Sequence, residues 1–273
     1  MRPHGRAAFD RNPDRERIRP AIPWGPHDPG DALRFPWISL CLQQIERHTD
    51  ARDHRVLVYD QSHLPEHAEI LRAHDVEVFT DPEEGHISHA RALDLLVDRA
   101  EGMEFIVTLD TDAFPVSGGW LDQLTGSLRD GAALAGIYRD EMAPQIRPFI
   151  HVAGLCIRRD TLLGLDVSFH RRPGQDTGQN ITDALAGTGN ELNPLHRSNR
   201  RNFHFLIGGL YGDLLYHHGA GSRHAKFWTS EDVDADERVR VALRDVAFED
   251  IDHLVAVLRG TQDNDLGLPE VPR

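Results

Sequence analysis

Two carboxylates, two positions apart, follow the most strand-like stretch of the chain. Residues 105–109 are a short run of apolar, β-branched and aromatic types, and Asp110 stands where that run ends. If the backbone stays extended through Thr111, Asp110 and Asp112 project to the same side, because side chains alternate along a strand. Neighbouring carboxylates repel each other and are costly to desolvate, so we expect a cation between them. Their oxygen atoms favour a hard divalent ion, Mn or Mg.

The chain contains the same Asp-x-Asp pattern at residues 232–234 and 234–236, which lie in a polar, charged stretch with no apolar strand before it. A solvated turn is therefore the alternative for any single triplet. The apolar strand before Asp110, and the residues Phe114, Pro115 and Trp120 that follow, favour a site.

Two adjacent histidines, His217 and His218, end a short apolar strand and precede the glycine-containing segment 219–221. Adjacent side chains on a strand point in opposite directions, so at most one of the two faces a given site. Glycine lets the backbone approach a phosphate closely, and Ser222 and Arg223 would add a hydroxyl and a cation. The alternative is a packed or surface histidine, since the chain has 17 of them.

Three further residues each allow two interpretations. Asp176 lies in a polar turn before a helical stretch, either as a helix N-cap or as a general base that accepts a proton from an attacking hydroxyl. Asp60 ends a predicted strand and either caps the next helix or binds a ligand. Segment 85–91 opens a helix whose amides, with Arg91, could attract an anion; an ordinary helix start explains it equally well.

Composition limits the class of protein. The 273 residues allow one large domain or two small ones. A net charge of −14, from 44 acidic and 30 basic residues, argues against general nucleic-acid affinity. Cys41 and Cys156 stand in apolar patterns, which predicts buried free thiols. The sequence shows no apolar run of membrane-spanning length and no signal-peptide core, so we expect a cytoplasmic protein.

Apolar periodicity predicts an alternation of strands and helices from Pro36 onward. The predicted strands are 55–60, 76–79, 105–109, 132–137, 152–157 and a short one in 208–216, and the predicted helices are 37–48, 65–74, 87–100, 120–128 and 248–258. Such alternation is typical of an α/β protein with a parallel sheet and helices on both faces, where ligands bind at the carboxyl ends of the strands. We expect an irregular arm at 1–34, the main domain at 35–230, and a helical segment with a tail at 231–273.

In order and spacing, these segments resemble the nucleotide-sugar-dependent glycosyltransferases of the GT-A fold, of a family-2-like type. The matching parts are helix 37–48, strand 56–60 with residues 61–62, segment 85–96, the DXD segment 106–112 with Trp120, the loop around Asp176, and residues 216–222. The resemblance implies a GT-A (Rossmann-like) mixed, mainly parallel sheet with helices on both faces. Two departures are a missing clear first strand before Pro36, and Gln175 where an acidic residue usually precedes the base.

The resemblance also implies roles for particular residues. Asp110 and Asp112 would hold the metal, with His217, or less well His218, as the third ligand. Asp176 would be the base of an inverting transfer. For the nucleotide sugar we expect contacts from Asp60, Arg91, Asp110, Thr111, Asp112, Ser222 and Arg223.

The implied activity is that of a metal-dependent, hexosyltransferase-type glycosyltransferase. It would move a sugar from a nucleotide-diphosphate donor to a hydroxyl acceptor on a glycan, a lipid-linked acceptor or a small molecule, and would be cytoplasmic or peripheral at the inner membrane face. Two alternatives remain open: a metal-dependent hydrolase built on Asp110, Asp112 and His217, and a non-catalytic nucleotide- or carbohydrate-binding relative.

Overall fold

The computed structural model describes residues 36–50, 54–62, 64–80, 87–140, 146–202, 204, 206–219 and 233–270. Its helices are α1 Trp37–His48, α2 Pro65–Arg72, α3 His89–Arg99, α4 Trp120–Arg129, α5 Arg159–Gly164, α6 Gln179–Gly187, α7 Val233–Glu249 and α8 Ile251–Arg259. Its strands are β1 Val56–Tyr59, β2 Val76–Phe79, β3 Phe105–Thr108, β4 Ala113–Pro115, β5 Leu134–Arg139, β6 Phe149–Arg158, β7 Leu192–Leu195, β8 Gly209–Tyr211 and β9 Leu215–His217.

The strands form three sheets, with orders β1-β2, β3-β6-β5-β7 and β4-β9-β8. The pairs β1–β2 and β5–β7 are parallel, whereas β3–β6, β5–β6, β4–β9 and β8–β9 are antiparallel. The α/β class and a mixed sheet are therefore confirmed. Parallel pairs do not predominate among the described strands, because the long strand β6 runs antiparallel to both of its neighbours.

Helices cover both faces of the four-stranded sheet, as predicted. On one face α3, α5 and α6 pack through Leu93, Leu162 and Ile181 against apolar residues of β3 and β6. On the other face α4 packs through Trp120, Leu124 and Leu128 against β5, β6 and the small sheet. These are the period-3.6 apolar positions of each helix, which bury one stripe against the core.

The small sheet β4-β9-β8 separates two apolar clusters. Ala113 and Leu215 point toward the cluster that contains α4. Phe114 and Tyr216 point the other way, into a cluster formed with α1, α7 and α8. The C-terminal helices thus share a core with the first described helix.

Two predicted elements were wrong in detail. The single strand expected within residues 208–216 is a hairpin, β8 and β9, whose turn is made by Gly212 and Asp213 at positive φ. The single helix expected at 248–258 is two helices, because Asp250 ends α7 and caps α8 by accepting a hydrogen bond from the His253 amide at 3.0 Å.

Both cysteines are free and buried, as predicted. Burial raises the pKa of the Cys41 and Cys156 thiols to about 12, so neither serves as a thiolate nucleophile. Among the described residues, no helix has the length and apolar character needed to cross a membrane.

Candidate active site

The Asp-x-Asp segment is a tight turn between β3 and β4. The Ala113 amide donates to the Asp110 carbonyl at 2.9 Å, and the His218 amide donates to the Asp112 carbonyl at 2.9 Å. The backbone is therefore not extended through Thr111, and the expectation that strand alternation aligns the two carboxylates is wrong. The turn and the pairing with β9 bring them together instead.

Ligand atoms of Asp110, Asp112 and His217 all lie within 4.8 Å of one another, which makes this trio a possible metal site. His217 is placed there by strand pairing, since it stands opposite Ala113 in the β4–β9 ladder. Its Nε2 atom lies 3.8 Å from Oδ1 of Asp112. Two carboxylate oxygens and an imidazole nitrogen form a donor set suited to Mn²⁺.

Electrostatics favour the ligand forms of these groups. Burial lowers the pKa of His217 well below its usual value, and the charge of Arg139 lowers it further, so the imidazole is neutral at pH 7. Burial alone would raise the pKa of Asp110, but the charge of neighbouring His89, whose own pKa is raised, lowers it overall, so the carboxyl is ionised. A neutral imidazole and ionised carboxylates are the protonation states that metal binding requires.

Arg139, at the end of β5, contacts the other side of the His217 ring. Its Nη1 lies 3.5 Å from Nδ1 of His217, and the guanidinium can only donate. This contact favours a lone pair on Nδ1 and the ring proton on Nε2, toward Asp112. Ligation of a metal ion through Nε2 would require the other neutral tautomer, with the proton on Nδ1, so the contact between Nδ1 and the Arg139 guanidinium would have to change.

His89 was not predicted as a site residue. Its Nε2 lies 3.2 Å from Oδ1 of Asp110, forming an ion pair. Ser88 positions it by capping α3 through the Arg91 amide. Of the predicted segment 85–91, the described residues 87–91 thus reach the site through His89, whereas Arg91 is exposed on the helix. The capping serine marks the helix start in the sequence, but only the fold places that start beside Asp110.

Asp176 is not the N-cap of the helix that follows it. The N-cap of α6 is Gly178, at φ 75°. Oδ1 of Asp176 accepts a hydrogen bond from the Thr177 amide at 2.8 Å, and Oδ2 lies 3.7 Å from Nε2 of His151. The carboxylate is thus held in the turn with one oxygen facing the centre of the site.

The site residues share one cavity of about 1010 Å³. Its polar lining includes His89, Asp110, Thr111, Asp112, Arg139, His151, Asp176 and His217. Gly219 lines it as well, and its backbone passes so close to Leu206 that an added Cβ would lie 1.9 Å from the Leu206 carbonyl oxygen. The glycine after the histidine pair is therefore required for close approach of two backbones.

Other predicted residues lie elsewhere. Asp60 accepts hydrogen bonds from the amide and hydroxyl of Ser62 and lies outside the described lining of the cavity, although its neighbours Tyr59 and Gln61 are part of that lining. His218 faces the opposite side of β9 from His217 and packs against Trp37, with the two rings tilted and their centroids 4.5 Å apart. Ser222 and Arg223 lie outside the described residues.

Comparisons with known proteins give little further guidance. No protein-family model matches the chain. No curated protein matches it either. Among solved structures, the chain is similar to mannosyltransferase PcManGT from Pyrobaculum calidifontis in complex with GDP-Man and Mn²⁺, with 19% identity and a TM-score of 0.45. The match covers 59% of this chain and 51% of that one, so this chain spans about half the length of the neighbour.

Proposed function

We propose that this protein is a metal-dependent glycosyltransferase that moves a sugar from a nucleotide-diphosphate donor to a hydroxyl acceptor with inversion. The observation that carries the proposal is one cavity with two kinds of acidic site: the Asp110, Asp112 and His217 trio at one place, and the separate carboxylate of Asp176 at another. An inverting transfer needs both a cation at the leaving group and a base at the acceptor.

The first half of the site would hold a divalent cation. Asp110 and Asp112 would supply carboxylate oxygens, and neutral His217 would supply a nitrogen. When bound, the cation neutralises negative charge that develops on a departing diphosphate. With a net charge of −14 on the chain, this local positive charge is what allows an anionic donor to bind.

The second half would act on the acceptor. Asp176 has one oxygen engaged by the Thr177 amide, and the other, facing His151, is placed to accept the proton of an attacking hydroxyl. The imidazole of His151 stands between this carboxylate and the metal trio, since its ring stacks on His217 with centroids 5.6 Å apart.

Nucleotide-dependent stabilisation tests the first half. We expect UDP, GDP or dTDP to raise the melting temperature only when Mn²⁺ or Mg²⁺ is present. In Asp112→Asn the metal-dependent shift should vanish, because a lost ligand costs the site about 100-fold or more in metal affinity. Asp263→Asn, a change at an exposed carboxylate outside the described cavity lining, is the matched control and should keep the shift.

Turnover then separates the alternatives. Incubation with a panel of UDP-, GDP- and dTDP-sugars should release the nucleoside diphosphate faster when a hydroxyl acceptor is added. Release at the same rate without acceptor would indicate a hydrolase, and binding without release would indicate a non-catalytic relative. If no nucleoside diphosphate stabilises the protein with metal, the proposal fails.

A further inference from the structure

His151 occupies the centre of the site, yet it belongs neither to the metal trio nor to the acceptor base. It lies on β6, is 9% exposed and lines the cavity. Its ring stacks on His217 with an interplanar angle of 27° and packs on Phe149 with centroids 5.6 Å apart. Two rings thus fix the plane of the imidazole, so its nitrogen atoms have defined directions.

The hydrogen-bond pattern fixes its neutral tautomer. The Ala153 amide donates to Nδ1 of His151 at 3.0 Å, so Nδ1 carries a lone pair. The ring proton of the neutral imidazole therefore resides on Nε2. That atom lies 3.7 Å from Oδ2 of Asp176, which is the oxygen not engaged by the Thr177 amide.

We propose that His151 is a positioning residue for Asp176: its Nε2–H, directed by the Ala153 amide and by stacking on His217, orients the carboxylate that accepts the proton of the acceptor hydroxyl. This inference rests on the proposed transferase function. The separation of 3.7 Å exceeds a direct hydrogen bond, so this role requires that it shorten when the acceptor hydroxyl binds, as catalytic contacts do on forming the reactive complex.

The arrangement couples the two halves of the site through one side chain. The same ring that faces Asp176 through an edge nitrogen contacts His217 through its face. A shift of the metal ligand would therefore move the base as well. His253 of α8 makes a similar contact with Asp265, at 3.1 Å, and neither residue is among those that line the cavity.

The first test does not depend on activity. A long-range ¹H–¹⁵N NMR spectrum of the full chain, with the His151 signal assigned by its loss in His151→Phe, should show the Nε2-protonated tautomer at neutral pH. An Nδ1-protonated ring would overturn the proposal whether or not the protein is a transferase.

The second test uses kinetics. His151→Phe keeps both ring contacts but removes the donor, so kcat with the best nucleotide sugar of the panel should fall about 10- to 100-fold, with KM for the donor and Mn²⁺ affinity near wild type. His151→Gln, whose amide N–H reaches about the place of Nε2, should restore part of kcat. In an Asp176→Asn background, His151→Phe should lower kcat by less than about a further 2-fold, because each change alone already disables the same His151–Asp176 pair.

Matched results decide between positioning and mere packing. His253→Phe should leave kcat unchanged. If His151→Phe keeps wild-type kcat while the wild-type protein is active, the inference fails and the transferase function stands. Equal losses in the Phe and Gln variants, or full additivity with Asp176→Asn, would also overturn it. A wild-type protein that transfers no sugar would instead refute the proposed function, and the tautomer measurement would still stand.

Discussion

The two faces of strand β9 show opposite uses of the same residue type. His217 points into a charged site beside Asp112 and Arg139, whereas His218 is packed against Trp37 and hydrogen-bonded to the Tyr216 hydroxyl at 3.0 Å. Both imidazoles are buried, and burial lowers the pKa of each, to about 3 for His218. On one face neutrality leaves the imidazole able to bind a metal ion; on the other it allows aromatic side chains to pack against the ring.

The difference arises from strand alternation together with what lies above each face. On the His217 side of β9 lie β5 and β6, which carry Arg139 and His151 near their ends. The His218 face is covered by α1 and α7. Burial is the main cause of the low pKa of His218, and the charges of Arg240 and Arg244 on α7 lower it further. Identical neighbours in sequence therefore have different chemistry because different elements cover them.

The largest expected effect is the loss of turnover when Asp176, in the cavity that His217 also lines, is replaced. Asp176→Asn keeps the size and much of the hydrogen bonding but removes the proton acceptor, so kcat should fall about 10²–10⁴-fold while donor binding survives. Steady-state rates and thermal shift with the diphosphate and Mn²⁺ check this. Transfer at near wild-type rate would leave the base unassigned.

A paired substitution tests the comparison itself. His217→Phe should weaken Mn²⁺ binding about 100-fold with little change in stability, since one ligand is lost. His218→Phe should leave Mn²⁺ affinity unchanged but cost about 1 kcal/mol of unfolding free energy, because the Tyr216 hydroxyl loses its partner. Calorimetric metal titration and urea unfolding measure the two quantities. Metal loss in the His218 variant, with none in the His217 variant, would reverse the assignment of the faces.

A further expected effect is on the pH dependence of stability. Unfolded histidine binds a proton near pH 6.5, whereas buried His218 has a pKa of about 3. Between these values the unfolded state holds the extra proton, so stability is lost as pH falls below about 6.5, by about 1.4 kcal/mol per pH unit for one histidine.

In metal-free protein, His218→Phe should reduce the dependence of unfolding free energy on pH by about 1.4 kcal/mol per pH unit between about pH 6 and 4.5, which corresponds to one proton. Urea unfolding at several pH values measures it. An unchanged slope would mean that His218 takes up a proton in the folded state, and that its burial does not set its charge.

Local sequence was enough to place most elements. Apolar periodicity located α1 and β2 within their observed bounds, and a strand ending near Asp110 followed from residues 105–109. Element bounds elsewhere shifted by up to three residues, because helix and strand ends depend on caps and neighbours that periodicity does not contain. The hairpin β8–β9 was missed since its turn relies on positive φ at Asp213 as well as Gly212.

The site was only partly predictable for a similar reason. Asp110 and Asp112 were chosen from their types and position and His217 from the family resemblance, and the structure brings their ligand atoms within 4.8 Å. The roles of Asp60, Arg91, Ser222 and Arg223 in donor binding remain predictions, and the domain bounds do as well. His89, Arg139 and His151 were not found, because nothing near them in sequence distinguishes them from surface or core residues.

The sequence by itself determined the chemical types available: an acidic turn after an apolar strand, a histidine pair before a glycine, and a second carboxylate in a polar loop. Only the tertiary structure decided which of these meet. Antiparallel pairing of β4 with β9 sets His217 opposite Ala113, and β6 carries His151 between His217 and Asp176. Contacts between residues far apart in the chain are made by sheet pairing, and strand register depends on the packing of the whole core rather than on any local pattern.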